Sequence, residues 1–303
     1  MGMTRIKRKN KMNFKGVYTA LITPFSDDGR LDENAFQELV DWQIREGVHG
    51  LVPCGTTGES PTLTHEEHNR VIALCVEVAK GRVPVMAGTG SNSTEEAIMT
   101  TQYAKKAGAD GALVVAPYYN KPTQEGLYQH FKAINDAVDL PIVLYNVPSR
   151  SVVNMSDETI ARLAELPNIV GLKDATGDLA RPYTLRSKLK SPFQLLSGED
   201  MTAVAFNVSG GQGCISVASN IAPKACAAVQ EACFSGDYKL AVKLQDKLTE
   251  LNNVMFCETS PAPVKYAAHL MGKCKNNLRL PLLPASEASQ NEIRKVLNNL
   301  QII

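Results

Sequence analysis

From Val17 to Val217, short apolar runs alternate with stretches of helical period. The runs that read as strands are VYTALITPF (17 to 25), GLVPCG (50 to 55), VPVMAGTG (83 to 90), GALVVAP (111 to 117), PIVLYNVP (141 to 148), IVGLKDAT (169 to 176), FQLLSGED (193 to 200) and GCISV (213 to 217). They are apolar throughout, as parallel strands buried on both faces are. Between the first two, Phe36, Leu39, Val40 and Ile44 recur at helical spacing, with Asp32 placed to cap the helix and Gly47 to end it. Thr64 with Glu67, and Ser93 with Glu96, match capping boxes that open the next two helices. Eight strand-helix units filling about 230 residues predict an α/β fold, a (β/α)8 TIM barrel. A doubly wound sheet competes, but it usually has fewer strands, and the first strand-to-helix turn lacks a G-x-G-x-x-G fingerprint. GTGSNS, from Gly88, has only two glycines and follows the third strand.

After Val217 the segments 222–234, 237–257 and 261–271 are helical in period, with Gly236, Pro261 and Pro263 as punctuation, and a last helix is expected over about 286–300. The expected organisation is a barrel over 12–235 and a small C-terminal helical domain over 236–303. Residues 1–11 differ from both. They hold Arg5, Lys7, Arg8, Lys9 and Lys11 with no acid, and no apolar run follows them as a secretory signal requires. A disordered basic leader is expected there, with Met12 as a possible alternative start and a nucleic-acid tail as the functional alternative.

Composition narrows the function classes. Of 303 residues, 44% are hydrophobic and 21% charged, with Lys plus Arg 32 against Asp plus Glu 31, a formal net charge of +1. Without the five leader bases the remainder has 27 basic against 31 acidic residues, which argues against a partner held through phosphate contacts. No apolar run approaches the roughly 20 residues that span a bilayer. The seven cysteines are scattered without C-x-x-C spacing and read as reduced residues of a cytoplasmic protein, neither disulfides nor zinc ligands. His65-Glu66-Glu67-His68 superficially resembles a zinc helix, but its histidines are three apart rather than four and no third ligand is evident.

Barrel enzymes place their reactive groups at the C-terminal ends of strands. Those ends are polar here: Gly55, Thr56, Thr57, Gly58 and Glu59 after the second strand, Tyr118, Tyr119 and Asn120 after the fourth, Tyr145 and Arg150 at the fifth, Lys173 and Asp174 at the sixth. Lys173 is the sharpest candidate. An amine late in an apolar strand is poorly solvated unless paired, and desolvation favours the neutral form that attacks a carbonyl. The plain structural reading is a lysine turned to solvent or paired with Asp174. For Tyr145 and Tyr119 it is a hydrogen-bonded aromatic at the barrel mouth, and for Arg150 a solvated loop residue. Thr56 and Thr57 between glycines suit either a tight turn or a small anion cradle of backbone N–H groups.

GTTGES (55 to 60), AGTGSNST (87 to 94), PYYNKPTQEGLYQHF (117 to 131), YNVPSR (145 to 150), GLKDATG (171 to 177) and LLSGED (195 to 200) together resemble the dihydrodipicolinate synthase family of pyruvate-dependent class I aldolases. The resemblance runs from about Phe14 to the C-terminus. Singly, GTTGE or KDATG marks only the superfamily, and YNVPSR adds the family. The resemblance implies condensation of pyruvate with L-aspartate 4-semialdehyde, in lysine and diaminopimelate biosynthesis, with no metal or organic cofactor. Lys173 would form the Schiff base. Tyr145, Thr56 and Tyr119 would relay protons, Tyr119 reaching into a neighbouring subunit of a homotetramer built as a dimer of dimers. Thr57 would hold the pyruvate carboxylate and Arg150 that of the semialdehyde, with Gly198 and Ile215 lining the site. Inhibition by L-lysine is implied at Ser60, His65, His68, Asn92, Glu96 and Tyr118, while Pro61 departs from the alanine of some sensitive members. For Glu96 the plain reading is a capping role, and for His65 and His68 a place at the start of a helix. The rival readings are N-acetylneuraminate lyase or a 2-keto-3-deoxy sugar acid aldolase, which Arg150 argues against, and a non-catalytic binding member, which the intact Lys173, Tyr145, Thr56 and Tyr119 argue against.

Overall fold

The structure, a computed structural model, describes residues 13–303, so the expected leader at 1–11 lies outside the described residues. Eight parallel strands form one sheet in the order β2-β1-β8-β7-β6-β5-β4-β3. They are β1 (Gly16–Ala20), β2 (Gly50–Val52), β3 (Met86–Gly88), β4 (Gly111–Val115), β5 (Ile142–Asn146), β6 (Ile169–Asp174), β7 (Gln194–Ser197) and β8 (Gly213–Ser216). A parallel bridge between Leu51 and Val85 joins the two ends, and the sheet closes into a barrel.

The crossovers are α1 (Glu33–Arg45), α2 (His65–Ala79), α3 (Thr94–Ala107) and α4 (Gln124–Ala137) on the first half. The second half has a short α5 (Pro148–Ser151), then α6 (Asp157–Leu163), α7 (Arg181–Lys188), α8 (Ala203–Val208) and α9 (Pro223–Phe234). Beyond the barrel come α10 (Tyr238–Asp246), α11 (Thr249–Val254), α12 (Ala262–Leu270) and α13 (Glu287–Asn299). The expected (β/α)8 fold is therefore present.

All eight expected strands occur, each ending earlier than its apolar run. The first stops at Ala20 because the chain then leaves the sheet: Ile22 N–H donates to Asn220 Oδ1 at 3.1 Å, and Thr23 Oγ1 donates to the Gly58 carbonyl at 2.7 Å. Asp32 caps α1 through the Ala35 N–H at 3.0 Å, and Phe36, Leu39 and Val40 are buried as their spacing requires. The box at Thr64 and Glu67 is complete. At α3 only half forms: Ser93 accepts from the Glu96 N–H, while the Glu96 carboxylate turns to Ser91 Oγ. The expected helix over 237–257 divides into α10 and α11, because Leu248 folds inward to be buried and its N–H bonds the Gln245 carbonyl.

Two apolar layers carry the fold. Outside the strands, residues such as Ile72, Leu127, Phe131 and Leu144 fill the space beneath the helices. Inside the barrel, Phe14, Tyr18, Val52, Met86, Val143, Leu196 and Ile215 pack against one another, each fully buried large side chain contributing about 1.5–3 kcal/mol. Phe14 and Tyr18 meet edge to face with ring centroids 5.9 Å apart. The cysteines are all free thiols, six buried and Cys257 exposed.

Candidate active site

Strand register sets the centre of the site. Tyr145 on β5 and Lys173 on β6 are directly paired, and the Lys173 Nζ lies 4.2 Å from the centroid of the Tyr145 ring. Both side chains are buried. Asp174 does not hold Lys173. It pairs instead with the buried Arg181 at 3.7 Å and accepts from the Thr176 N–H at 3.0 Å, while burial pushes its carboxyl above the usual range. Arg181 is further fixed by Asp157 at 3.1 Å and Asn154 at 3.0 Å. Lys173 is thus left facing an aromatic ring rather than a carboxylate neighbour in sequence.

The loop after β2 is a tight turn. Gly58 N–H donates to the Gly55 carbonyl and Glu59 N–H to the Thr56 carbonyl, at 3.0 and 3.1 Å. Within it Thr57 is buried, and Thr56 lines a cavity of about 370 Å³. Tyr145 and Arg150 line the same cavity, and Arg150 also donates to the Ser260 carbonyl at 3.2 Å. Gly198 sits beside β6 with its N–H on the Asp174 carbonyl at 2.7 Å, where a Cβ would stand 2.7 Å from that of Ala175. Ile215 belongs to the barrel interior with Tyr145.

Ser60, His65, His68, Glu96 and Tyr118 line the same cavity as Tyr145. Burial pushes the His68 imidazole down to about 4, so it is neutral near pH 7, and its Nδ1 has no hydrogen-bond partner among the described residues. His65 stands 3.5 Å from the Glu96 carboxylate. Asn92 does not line the cavity, and its carbonyl accepts from Asn120 Nδ2 at 2.9 Å. Nor do Lys173, Thr57, Gly198, Ile215 or Tyr119. Tyr119 has φ +67° and is 92% exposed.

Two acidic residues of LLSGED escaped the sequence reading. Burial and the adjoining Asp200 raise the Glu199 carboxyl, while Lys173 and Arg150 act in the opposite direction, which places it in the field of both cations. Asp200 accepts from the N–H groups of Val217 and Ala218 at 2.8 and 3.1 Å and so fixes the end of β8. A carboxylate closing an apolar strand was the available signal. Among the described residues there is no cluster of three or more His, Cys, Asp or Glu with metal-holding geometry, and His65 and His68 diverge on α2, one exposed and one buried.

The dihydrodipicolinate synthetase family matches residues 13–300. The chain is 62% identical to the 4-hydroxy-tetrahydrodipicolinate synthase of Rhodospirillum centenum, over 94% of this chain and 97% of that one. A chloride-inhibited dihydrodipicolinate synthase from Acinetobacter baumannii, solved with pyruvate, superimposes with a TM-score of 0.94 at 48% identity, covering 96% of this chain and all of that one. The lysine-bound enzyme from Cyanidioschyzon merolae superimposes with a TM-score of 0.92 at 37% identity, covering 96% and 99%.

Proposed function

The chain belongs to the dihydrodipicolinate synthetase family, and from that premise we propose how its site performs the family's reaction. That reaction is a lyase-type condensation of pyruvate with L-aspartate 4-semialdehyde, giving 4-hydroxy-tetrahydrodipicolinate on the route to diaminopimelate and lysine. The observation that carries the assignment is the Lys173 and Tyr145 pair, in register at the C-terminal end of the barrel and 4.2 Å apart.

Lys173 Nζ attacks the ketone carbon of pyruvate, water leaves, and an iminium forms. The iminium withdraws electrons, so a methyl proton departs to give an enamine whose carbon adds to the semialdehyde carbonyl. Protons must be delivered and retrieved at the carbinolamine and at the new alkoxide. A phenol, ordinarily of pKa about 10, does this efficiently only within a relay, which Tyr145, Thr56 and Tyr119 supply. Thr57 and its turn hold the pyruvate carboxylate, and Arg150 holds that of the semialdehyde in bidentate fashion. The substrate's own amine then displaces Lys173, closing the ring and freeing the enzyme. No step calls for a metal or organic cofactor.

Tyr119 supports an assembly of at least two copies, since a relay member 92% exposed on its own subunit is placed to serve another. We assign the assembly as a homotetramer of two such dimers, working in the cytoplasm. No helix among the described residues is long and apolar enough to cross a membrane. The polar group of Ser60, His65, His68, Glu96 and Tyr118, with Asn92 beside it, is assigned to feedback inhibition by L-lysine, whose ammonium and carboxylate its mixed donors and acceptors suit.

Borohydride reduction in the presence of pyruvate, followed by mass measurement, tests the nucleophile. The native enzyme should gain one reduced pyruvate adduct on Lys173, and Lys173→Ala should gain none. A Lys173→Ala protein labelled on another lysine to the same extent would refute the assignment. Turnover of pyruvate with L-aspartate 4-semialdehyde, coupled to an NADPH-dependent reductase, separates this reading from a sugar-acid aldolase, which would be labelled yet inactive here. Activity unchanged by millimolar L-lysine would remove the regulatory assignment alone.

A further inference from the structure

The turn that carries Thr56 and Thr57 is shaped by the residue that closes it. Glu59 has φ +55°, a left-handed conformation that is strained for a residue with a Cβ and persists only where its surroundings enforce it. Its backbone is held locally, N–H to the Thr56 carbonyl and carbonyl to the Thr62 N–H. Its side chain is held from the far end of the sequence. Lys265 Nζ, on α12, meets Glu59 Oε1 at 2.5 Å, and the Arg279 backbone N–H donates to Oε2 at 3.1 Å. The two charged side chains are 0% and 1% exposed.

The same C-terminal stretch grips the neighbourhood at further points. Phe25 lies 4.1 Å from the Lys265 ammonium and 4.3 Å from the Arg279 guanidinium. Arg279 also bonds both oxygens of Glu67 at 2.6 Å and the Thr62 carbonyl at 2.8 Å, at the start of α2. Just before α12, the Ser260 carbonyl receives Arg150.

Stability is a poor reason for such a pair. Removing two ions from water is costly, and an apolar pair of the same shape is often as stable or more so. Burial is the largest influence on the Lys265 ammonium and lowers its pKa, with Glu59 opposing. A dry ion pair does something an apolar pair does not: it fixes two groups in both distance and direction.

We propose that Lys265 is a positioning residue of the active site, and that through its buried ion pair with Glu59 the C-terminal helices set where Thr56 and Thr57 stand relative to Tyr145. The inference rests on the roles given above to Thr56, Thr57 and Tyr145. Lys265 touches neither substrate nor reacting atoms; it acts through the turn. Without its ammonium, the turn relaxes, the pyruvate carboxylate loses a well-placed Thr57, and the relay loses the alignment of Thr56. Lys173 stands on β6, away from the turn, and keeps its reactivity.

The test compares full-length native enzyme, Lys265→Met, Glu59→Gln and the double variant Glu59→Gln/Lys265→Met. Melting temperature, kcat, KM for pyruvate and borohydride labelling are read for each. The double variant removes both charges and leaves no unpaired ion, so its melting temperature should return close to the native value. Its kcat should nevertheless stay at least about tenfold low and its pyruvate KM severalfold high, since small misplacements of positioned groups cost that much. Labelling of Lys173 should persist at saturating pyruvate. A double variant with native kcat and KM overturns the inference, as does a Lys265→Met protein whose activity falls only in step with its folded fraction. Where Lys265→Met does not fold, Glu59→Gln and the double variant make the same comparison. A native enzyme that fails to label sinks the Schiff-base reading and this inference together; a labelled native enzyme with unaffected variants sinks this inference alone.

Discussion

Lys173 stands in a region where burial raises the carboxyls around it, Asp174, Glu199 and Asp200 among them. The Tyr145 ring centroid lies 4.2 Å from its Nζ, so this phenol side chain stands beside any carbonyl that Lys173 attacks. Tyr145→Phe should therefore lower kcat about 10²- to 10⁴-fold, the usual worth of a placed acid-base group, while pyruvate still labels Lys173 under borohydride. Two histidines contribute a defined part of the pH dependence of stability. Burial lowers the imidazoles of both His68 and His130 to about 4 from an ordinary 6.5. The folded protein binds their protons less readily than the unfolded chain, so their full contribution is present above pH 6.5 and is lost as pH falls toward 4. The expected loss is on the order of 1–3 kcal/mol for each, read as a falling melting temperature across that window. His130→Asn, whose amide can still meet Thr94 Oγ1 where Nδ1 does at 2.9 Å, should flatten the profile. The strand-end positions of Lys173 and Tyr145 were legible in the sequence because a polar side chain late in an apolar strand is conspicuous. The pairing of Glu59 with Lys265 was not legible, since the two lie 206 positions apart and no spacing rule links them.

At the level of elements, close approach fixes where glycine must stand. A Cβ on Gly50 would fall 2.0 Å from Cε1 of Tyr18, inside the barrel, where a fully buried ring has nowhere to go. Gly50→Ala should destabilise the protein by about 1–3 kcal/mol, seen as a lower melting temperature by calorimetry with the barrel retained. The number and order of the strands could be read from apolar runs, because strands buried on both faces need continuous apolar character. Their ends could not. The same apolar letters continue past Ala20 and past Val52 into turns where Ile22 N–H donates to Asn220 and the Gly58 carbonyl accepts from Thr23, partners that no local pattern announces. The break between α10 and α11 is similar: no glycine or proline marks it, and only the inward course of Leu248 makes it.

The whole molecule is organised around contributions from distant parts. Tyr119, proposed to complete a neighbour's relay, gives a direct test of assembly. Lys173→Ala and Tyr119→Phe subunits, each nearly inactive alone, should regain activity when co-expressed, because a mixed pair contains one site with both residues intact. Random pairing sets the recovery at about a quarter of native activity for a two-fold dimer. No recovery would mean that Tyr119 serves its own subunit or none.

The barrel is closed at β2 and β3 by little more than the Leu51 and Val85 bridge, with backbone bonds from Leu51 to Pro84 and from Gly88 to Pro53. It is a hoop with a short clasp. The cavity opens directly over that clasp, bordered by Cys54 and Gly55 on one lip and by Gly88 and Gly90 on the other. Anything seated there bridges the lips, so occupancy and closure of the hoop become one event. Amide exchange at Leu51 and Gly88 should slow when the cavity fills, ahead of any change elsewhere in the ring.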